Sequence, residues 1–160
     1  MPFKKVYLDS NVFIKAFEGS ESDDLAFGLT GIFALAASRV APPFATSQIT
    51  LAELLVHPFR NGNTESQRRY ISLLSASSAW LEVRVVNSKV LVLAARLRGQ
   101  SSLKLPDAIH AATAMLAGCS HFFSGDADFK SIRAADRLDQ LQPLSLAVQS
   151  VTELADWLRE

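Results

Sequence analysis

The sequence predicts an α/β fold, a three-layer α/β/α sandwich with a mainly parallel sheet, on three observations. Short apolar runs alternate along the chain with longer segments of helical spacing. Apolar residues, 49% of the total, are spread throughout, so a core can form without disulfides or a structural metal. No repeat, linker or low-complexity tract interrupts the pattern, and 160 residues suit a single domain spanning 1–160.

The elements follow in order. Val6-Tyr7-Leu8 is an apolar run stopped by Asp9, and Asn11 to Phe17 then has helical spacing, giving strand, turn and helix. A long apolar helix from about Asp23 to Arg39 ends before Pro42-Pro43, because proline restricts its predecessor and cannot continue the ladder. Phe44-Ala45-Thr46 is a second strand. Ser47 is placed to cap a helix from Gln48 to His57 that carries Glu53 and closes at Pro58. After the Asn61-Gly62-Asn63 loop, Thr64-Glu65-Ser66-Gln67 has capping-box form and opens a helix reaching Ala76. Leu81 to Val86 alternates as a strand does, and Asn87 caps a helix ended by Gly99. Pro106 suits a first helical turn, so Asp107 begins an alanine-rich helix running to Gly118. His121 to Ser124 is a strand leading into Gly125-Asp126, Leu144 to Val148 is a last strand, and Ser150 with Glu153 forms a capping box for the terminal helix.

Composition narrows the setting. Cys119 is alone, with no second cysteine to share a bond or a metal, and reads as a buried inert thiol in a reducing, cytoplasmic environment. The two lysines near the start precede an apolar run that Asp9 cuts at once, so no signal-peptide core follows. Leu25 to Val40 is the most apolar stretch, but it is shorter than the roughly 18 residues of a membrane span and contains Arg39, so no membrane association is expected. With 16 basic and 16 acidic side chains the whole-protein field does not favour nucleic acid, and any such binding must come from local patches or from metal.

Sites in parallel α/β sheets lie beyond the carboxyl ends of strands, where Asp9 and Asp126 both fall. Glu53 and Asp107 lie on helices, and an alanine-rich helix approaches a sheet closely enough to bring its first-turn acid to the same rim. One acid after a strand is ordinarily a cap or loop residue. Several carboxylates within about 6 Å repel, and persist only by sharing protons or holding a cation. Mg2+ or Mn2+ suits such oxygens, whereas no cysteine or histidine cluster is present to suit zinc. An ion held there can activate water, stabilise charge on a phosphate and neutralise a polyanionic substrate.

Four motifs carry a family resemblance. Val6-Tyr7-Leu8-Asp9-Ser10-Asn11-Val12-Phe13-Ile14 resembles the opening motif of PIN-domain ribonucleases, especially VapC-like toxins. Ser47 to Leu54, Leu105 to Ala112 and Phe122 to Phe129 resemble, in the family's order, the segments bearing the second, third and last acids. The resemblance covers almost the whole chain and implies a PIN-like fold. It implies a Mg2+- or Mn2+-dependent endoribonuclease, with Asp9 and Asp107 as principal ligands and Glu53 and Asp126 completing the pocket. It further implies in-line attack by water, a 3′-hydroxyl and a 5′-phosphate as products, a homodimer, and a small antitoxin that blocks the pocket. The resemblance also implies that Ser124 supports the cluster by hydrogen bonding. Two features depart from the simplest pattern: glycine stands at Gly125, where a polar residue is common, and Asp128 offers a second acid, one also placed to cap a following helix.

The remaining polar residues divide between function and structure. Ser10 and Asn11 are suited to capping as well as to substrate contact. His110 suggests an interhelical hydrogen bond or a phosphate contact. His57 and His121 read as structural or exposed, and Trp80 and Trp157 as core or interface anchors. Arg60, Arg68 and Arg69, then Arg96, Arg98 and Lys104, then Lys130, Arg133 and Arg137, are three basic stretches that either flank the pocket and hold RNA phosphates or are solvated helix faces. Of these, Arg60, Lys104 and Lys130 are the substrate-binding candidates. The apolar helix from Leu25 to Arg39 is a candidate dimer or antitoxin surface, with Leu29→Asp as its probe.

Other classes fit less well. A strand-end aspartate is also the nucleophile of haloacid-dehalogenase-like phosphatases, but those need an acid two residues on, where Asn11 stands. A receiver-like domain takes its magnesium-binding acids from strand ends, unlike Glu53 and Asp107. A PIN-like scaffold or RNA-binding module with an idle pocket is the non-enzymatic alternative, and the presence of all four acids argues against it.

Overall fold

The computed structural model describes residues 2–126 and 141–160. Along them run β1 (Val6–Leu8), α1 (Ser10–Glu18), α2 (Asp24–Ala36), β2 (Phe44–Ser47), α3 (Ile49–Arg60), α4 (Thr64–Leu74), β3 (Leu81–Arg84), α5 (Ser88–Gly99), α6 (Leu105–Leu116), β4 (His121–Ser124), β5 (Gln142–Ser145) and α7 (Val148–Arg159). The strands form one sheet in the order β3-β2-β1-β4-β5, and every pairing is parallel. Helices cover both faces, giving the three layers expected.

Alternation along the strands divides the core in two. Val6 and Leu8 of β1, Phe44 of β2 and Phe123 of β4 point into one cluster with side chains of α1, α2, α4 and α7. Tyr7, Ala45 and Phe122 point the other way, against α5 and α6. On this second face α6 presents Ala108, Ala111, Ala112 and Ala114, all completely buried. Side chains this small let the helix axis sit close to the sheet, and α6 packs on β2 and beside α5.

Local chemistry sets the boundaries, in several places differently from the sequence reading. Asp23, Asn63 and Asn87 accept hydrogen bonds from backbone N–H groups in the first turns of α2, α4 and α5. The cap of α4 is therefore Asn63, one residue before the expected Thr64. Pro58 does not close α3, which runs on to Arg60 with Pro58 buried inside it. Near a helix end proline removes one hydrogen bond, and burial of the ring offsets the loss. The last strand begins at Gln142 rather than Leu144, because β5 lies at the sheet edge, where a proline such as Pro143 is tolerated. The capping box at Ser150 does not form: α7 begins at Val148, and Ser150 is a buried residue within it. Trp80 and Trp157 are half-buried against the aromatic core.

Leu29 has no exposed surface, so Leu29→Asp would bury a charge in the core rather than probe the outer face of α2. Phe27, 78% exposed, is the outward apolar residue of that helix.

Candidate functional site at the carboxyl ends of the strands

The strand order reverses at the centre of the sheet: from β1 the chain first builds β2 and β3 on one side, then β4 and β5 on the other. Asp9 follows β1, and Ser124-Gly125-Asp126 ends β4, so both lie at the topological switch point, where connections diverge and leave a crevice.

Asp9 is the N-cap of α1, its Oδ1 accepting from the Ser10 backbone N–H at 2.8 Å. Its second oxygen accepts from Ser124 Oγ at 2.7 Å and from Asn11 Nδ2 at 3.3 Å. Asn11 in turn accepts from the Gly125 backbone N–H at 2.9 Å, and Ser124 Oγ accepts from the Asp126 backbone N–H at 2.9 Å. Asn11 and Ser124 thus stitch the end of β1 to the loop after β4. A Cβ at Gly125 would stand in ordinary contact with Leu146 and Asn11, so the backbone here makes no special demand for glycine.

Glu53 arrives from α3. Thr46 on β2 donates to the Leu8 carbonyl and lies 2.9 Å from Thr50, which fixes the first turn of α3 against the sheet one turn before Glu53. One oxygen of Glu53 lies 2.8 Å from His110 Nε2 on α6, and the other accepts from Ser10 Oγ. His110 Nδ1 lies 2.7 Å from the Tyr7 hydroxyl, and Nε2 is 3.7 Å from Asp9. Single ligand atoms of Asp9, Glu53 and His110 all lie within 4.8 Å of one another. Among the described residues, the ion pairs of Asp9 and Glu53 are with His110 alone.

Asp107, in the first turn of α6, shares the electrostatic field of this group. Partial burial, then the charges of Asp126, Asp9 and Glu53, hold its carboxyl above the ordinary aspartate range, with His110 opposing in part. For Glu53, burial opposes ionisation but the hydrogen bonds and charge of His110, with Ser10, win, and its pKa is lowered. Burial likewise disfavours the charged imidazole of His110, yet Glu53, Asp9 and Asp107 raise its pKa overall.

The structure therefore brings Asp9 and Glu53 together with His110, and hydrogen-bonds Ser124 and Asn11 to Asp9, whereas Asp107 and Asp126 fall outside that 4.8 Å group and are tied to it through their charges. Asp128 and Lys130, with Arg133 and Arg137, lie outside the described residues. Arg60 and Lys104 are exposed, at the end of α3 and immediately before α6. Arg69 is drawn to Glu65 and lies over the Phe17 ring, as a solvated helix face would have it. Burial pushes the Cys119 thiol up to about 12, in keeping with an inert residue. The interhelical hydrogen bond expected of His110 is present, but its acceptor is one of the four acids, so the rim includes a nitrogen donor. Tyr7 and Ser10 complete the network. Alternation places Tyr7 on the α6 side of β1, but nothing in the sequence shows its hydroxyl meeting His110.

Fold and rim together define a parallel α/β protein with a carboxylate cluster at its switch point. The sequence model of the PIN domain matches residues 6–135, and the chain belongs to the PIN domain family. Its fold is similar to that of a chain in a toxin-antitoxin complex from Klebsiella pneumoniae, at 23% identity and a TM-score of 0.60, with 89% of this chain and 98% of that one covered. It is also similar to a chain of VapBC2 from Rickettsia felis bound to a DNA fragment from their promoter, at 17% identity and a TM-score of 0.60, over 89% of this chain and 98% of that one. A third similar chain is in DNA-bound VapBC from Salmonella typhimurium, at 18% identity and a TM-score of 0.58, over 92% and 100%. No curated protein sequence matches it.

Proposed function

We propose that this chain is a metal-dependent endoribonuclease, working as one domain, and the toxin of a toxin–antitoxin pair. The observation that carries the reading is the meeting of Asp9, Glu53 and His110 within 4.8 Å, in the field of Asp107 and Asp126, at the switch point of a parallel sheet. Membership of the PIN family supports nuclease chemistry, and the toxin–antitoxin complexes that share the fold support an antitoxin partner.

The donor set fits a divalent cation. Carboxylate oxygens predominate, Asp9 and Glu53 have no lysine or arginine partner among the described residues, and partial burial, followed by the charges of Asp126, Asp9 and Glu53, raises the proton affinity of Asp107. Asp9, Glu53, Asp107 and Asp126 would hold Mg2+ or Mn2+, which supplies charge stabilisation at a phosphodiester and makes water more acidic near neutral pH.

The protein's own groups do the positioning. Ser124 and Asn11 hold Asp9, Ser10 and His110 hold Glu53, and the exposed Asp126 keeps the rim open to a polyanionic backbone. Exposed Arg60, the last residue of α3, and Lys104, the N-cap of α6, steer RNA phosphates. Asp128 and Lys130 remain proposed additions to the rim and the RNA path. A homodimer working in the cytoplasm completes the proposal, and no described helix is long and apolar enough to cross a membrane.

The test is RNA cleavage by the purified chain with Mg2+, Mn2+ or a chelator, beside Asp9→Asn. Cleavage should need the cation, leave 5′-phosphate ends, and fall at least about 100-fold in the variant, since metal-assisted catalysis supplies several kcal/mol. Activity that survives both chelation and substitution would overturn the mechanism.

A further inference from the structure

His110 is nearly sealed from solvent, its side chain 2% exposed, and both ring nitrogens are engaged. The protons can be placed by elimination. A carboxylate oxygen only accepts, so Nε2–H donates to Glu53 at 2.8 Å. Tyr7 is fully buried, and its phenol O–H donates to the remaining nitrogen, Nδ1, at 2.7 Å. This one arrangement satisfies both nitrogens of the neutral ring. Among the described residues no buried side-chain nitrogen or oxygen is left without a partner.

The mechanical consequence lies in Glu53. It has three rotatable side-chain bonds on a half-buried helical position, and a single hydrogen bond would leave its carboxylate free to turn. Ser10 holds one oxygen and His110 the other, which fixes the carboxylate plane. His110 is braced in turn by Tyr7, on the central strand β1, whose ring stacks on Phe122 at 4.9 Å. The rigid middle of the sheet is thereby coupled through α6 to an acid on α3.

The geometry points to His110 as a positioning residue that, braced by Tyr7, holds the Glu53 carboxylate in the orientation in which the rim takes up a divalent cation. This inference rests on the metal-dependent reading above, and two measurements separate the two.

In chelator-treated protein with nitrogen-labelled histidine, two-bond nitrogen–proton correlations show which ring nitrogen of His110 carries a proton. A protonated Nε2 is expected, and a bare Nε2 overturns the inference. Mn2+ titration calorimetry then compares the native chain with His110→Gln, whose amide N–H replaces that of Nε2, and His110→Ala. His110→Ala should bind Mn2+ about tenfold more weakly and His110→Gln within about threefold of native, the scale of loss when an outer partner of a metal ligand is removed. Equal affinity in all three, or equal loss in Gln and Ala, overturns the positioning role. A native chain that takes up no Mn2+ but protonates Nε2 sinks the metal reading and leaves the His110–Glu53 clamp in place, whereas Mn2+ uptake with a bare Nε2 does the reverse. If His110→Ala does not fold, a bare Nε2 in the native chain or a loss well beyond threefold in His110→Gln still overturns the role.

Discussion

The two faces of the sheet are packed with side chains of different size. One is filled with rings: Phe33 stacks on Trp80 at 4.4 Å, and Phe13, Phe44 and Tyr70 are essentially without exposed surface. The other is lined by the alanines of α6, with Ala94 of α5 beside them. Large aromatic side chains bring the greater share of hydrophobic stabilisation, whereas alanines contribute little area but let a helix come close. Stability is thus concentrated on the ring-filled face, and the reach of α6 toward the rim depends on the alanine-lined one.

Three substitutions test this division, in order of effect. Phe44→Ala should lower unfolding free energy by about 3–5 kcal/mol in urea titration, through lost burial and the cavity left behind. The Mn2+ affinity of the folded protein should not change. Ala112→Leu should cost less, about 1–3 kcal/mol from overpacking, yet weaken Mn2+ binding by displacing the helix that carries Asp107 and His110. Unchanged Mn2+ uptake in that variant would break the comparison.

Asp107→Asn should act in the opposite direction on stability. Its carboxyl has a raised pKa in the folded state, so the folded form binds that proton more tightly than the unfolded one. The charged side chain therefore destabilises the metal-free fold at pH above its folded pKa, and the penalty disappears below the ordinary aspartate range. The Asn variant should gain no more than about 1 kcal/mol near neutral pH, given the group's solvent exposure, and nothing in acid. Thermal melts of chelated protein at the two pH values would show this, with a rise in Tm of at most about 2–4 °C at the higher pH. Mn2+ affinity should fall in the same variant.

Most of the fold was legible because its signals are local. Apolar runs marked the first four strands, and Asp23 and Asn87 stood where caps form. The misplacements came where tertiary position outweighs local chemistry: Pro143 sits in an edge strand, Pro58 in a packed helix, and Ser150 inside a helix rather than ahead of it. In the rim, the four acids stood out because like charges need an explanation. Asn11 and Ser124 were visible as their neighbours. The part of His110 was not, because a histidine one turn from an acid reads the same whether it meets a carbonyl or a carboxylate. Only the approach of α6 to α3, set by alanine packing, decides between them.

The junction of β1 with β4 has a temporal corollary. Asp9 is joined to Ser124 by a hydrogen bond spanning 115 positions of the chain, and β4 fills the slot beside a strand made long before it. Contacts of such long sequence separation form late and slow folding. During synthesis on the ribosome, the edge of β1 that β4 will occupy stays open until His121–Ser124 have emerged, so a chain that stops short of them lacks the Ser124 and Asp126 side of the rim.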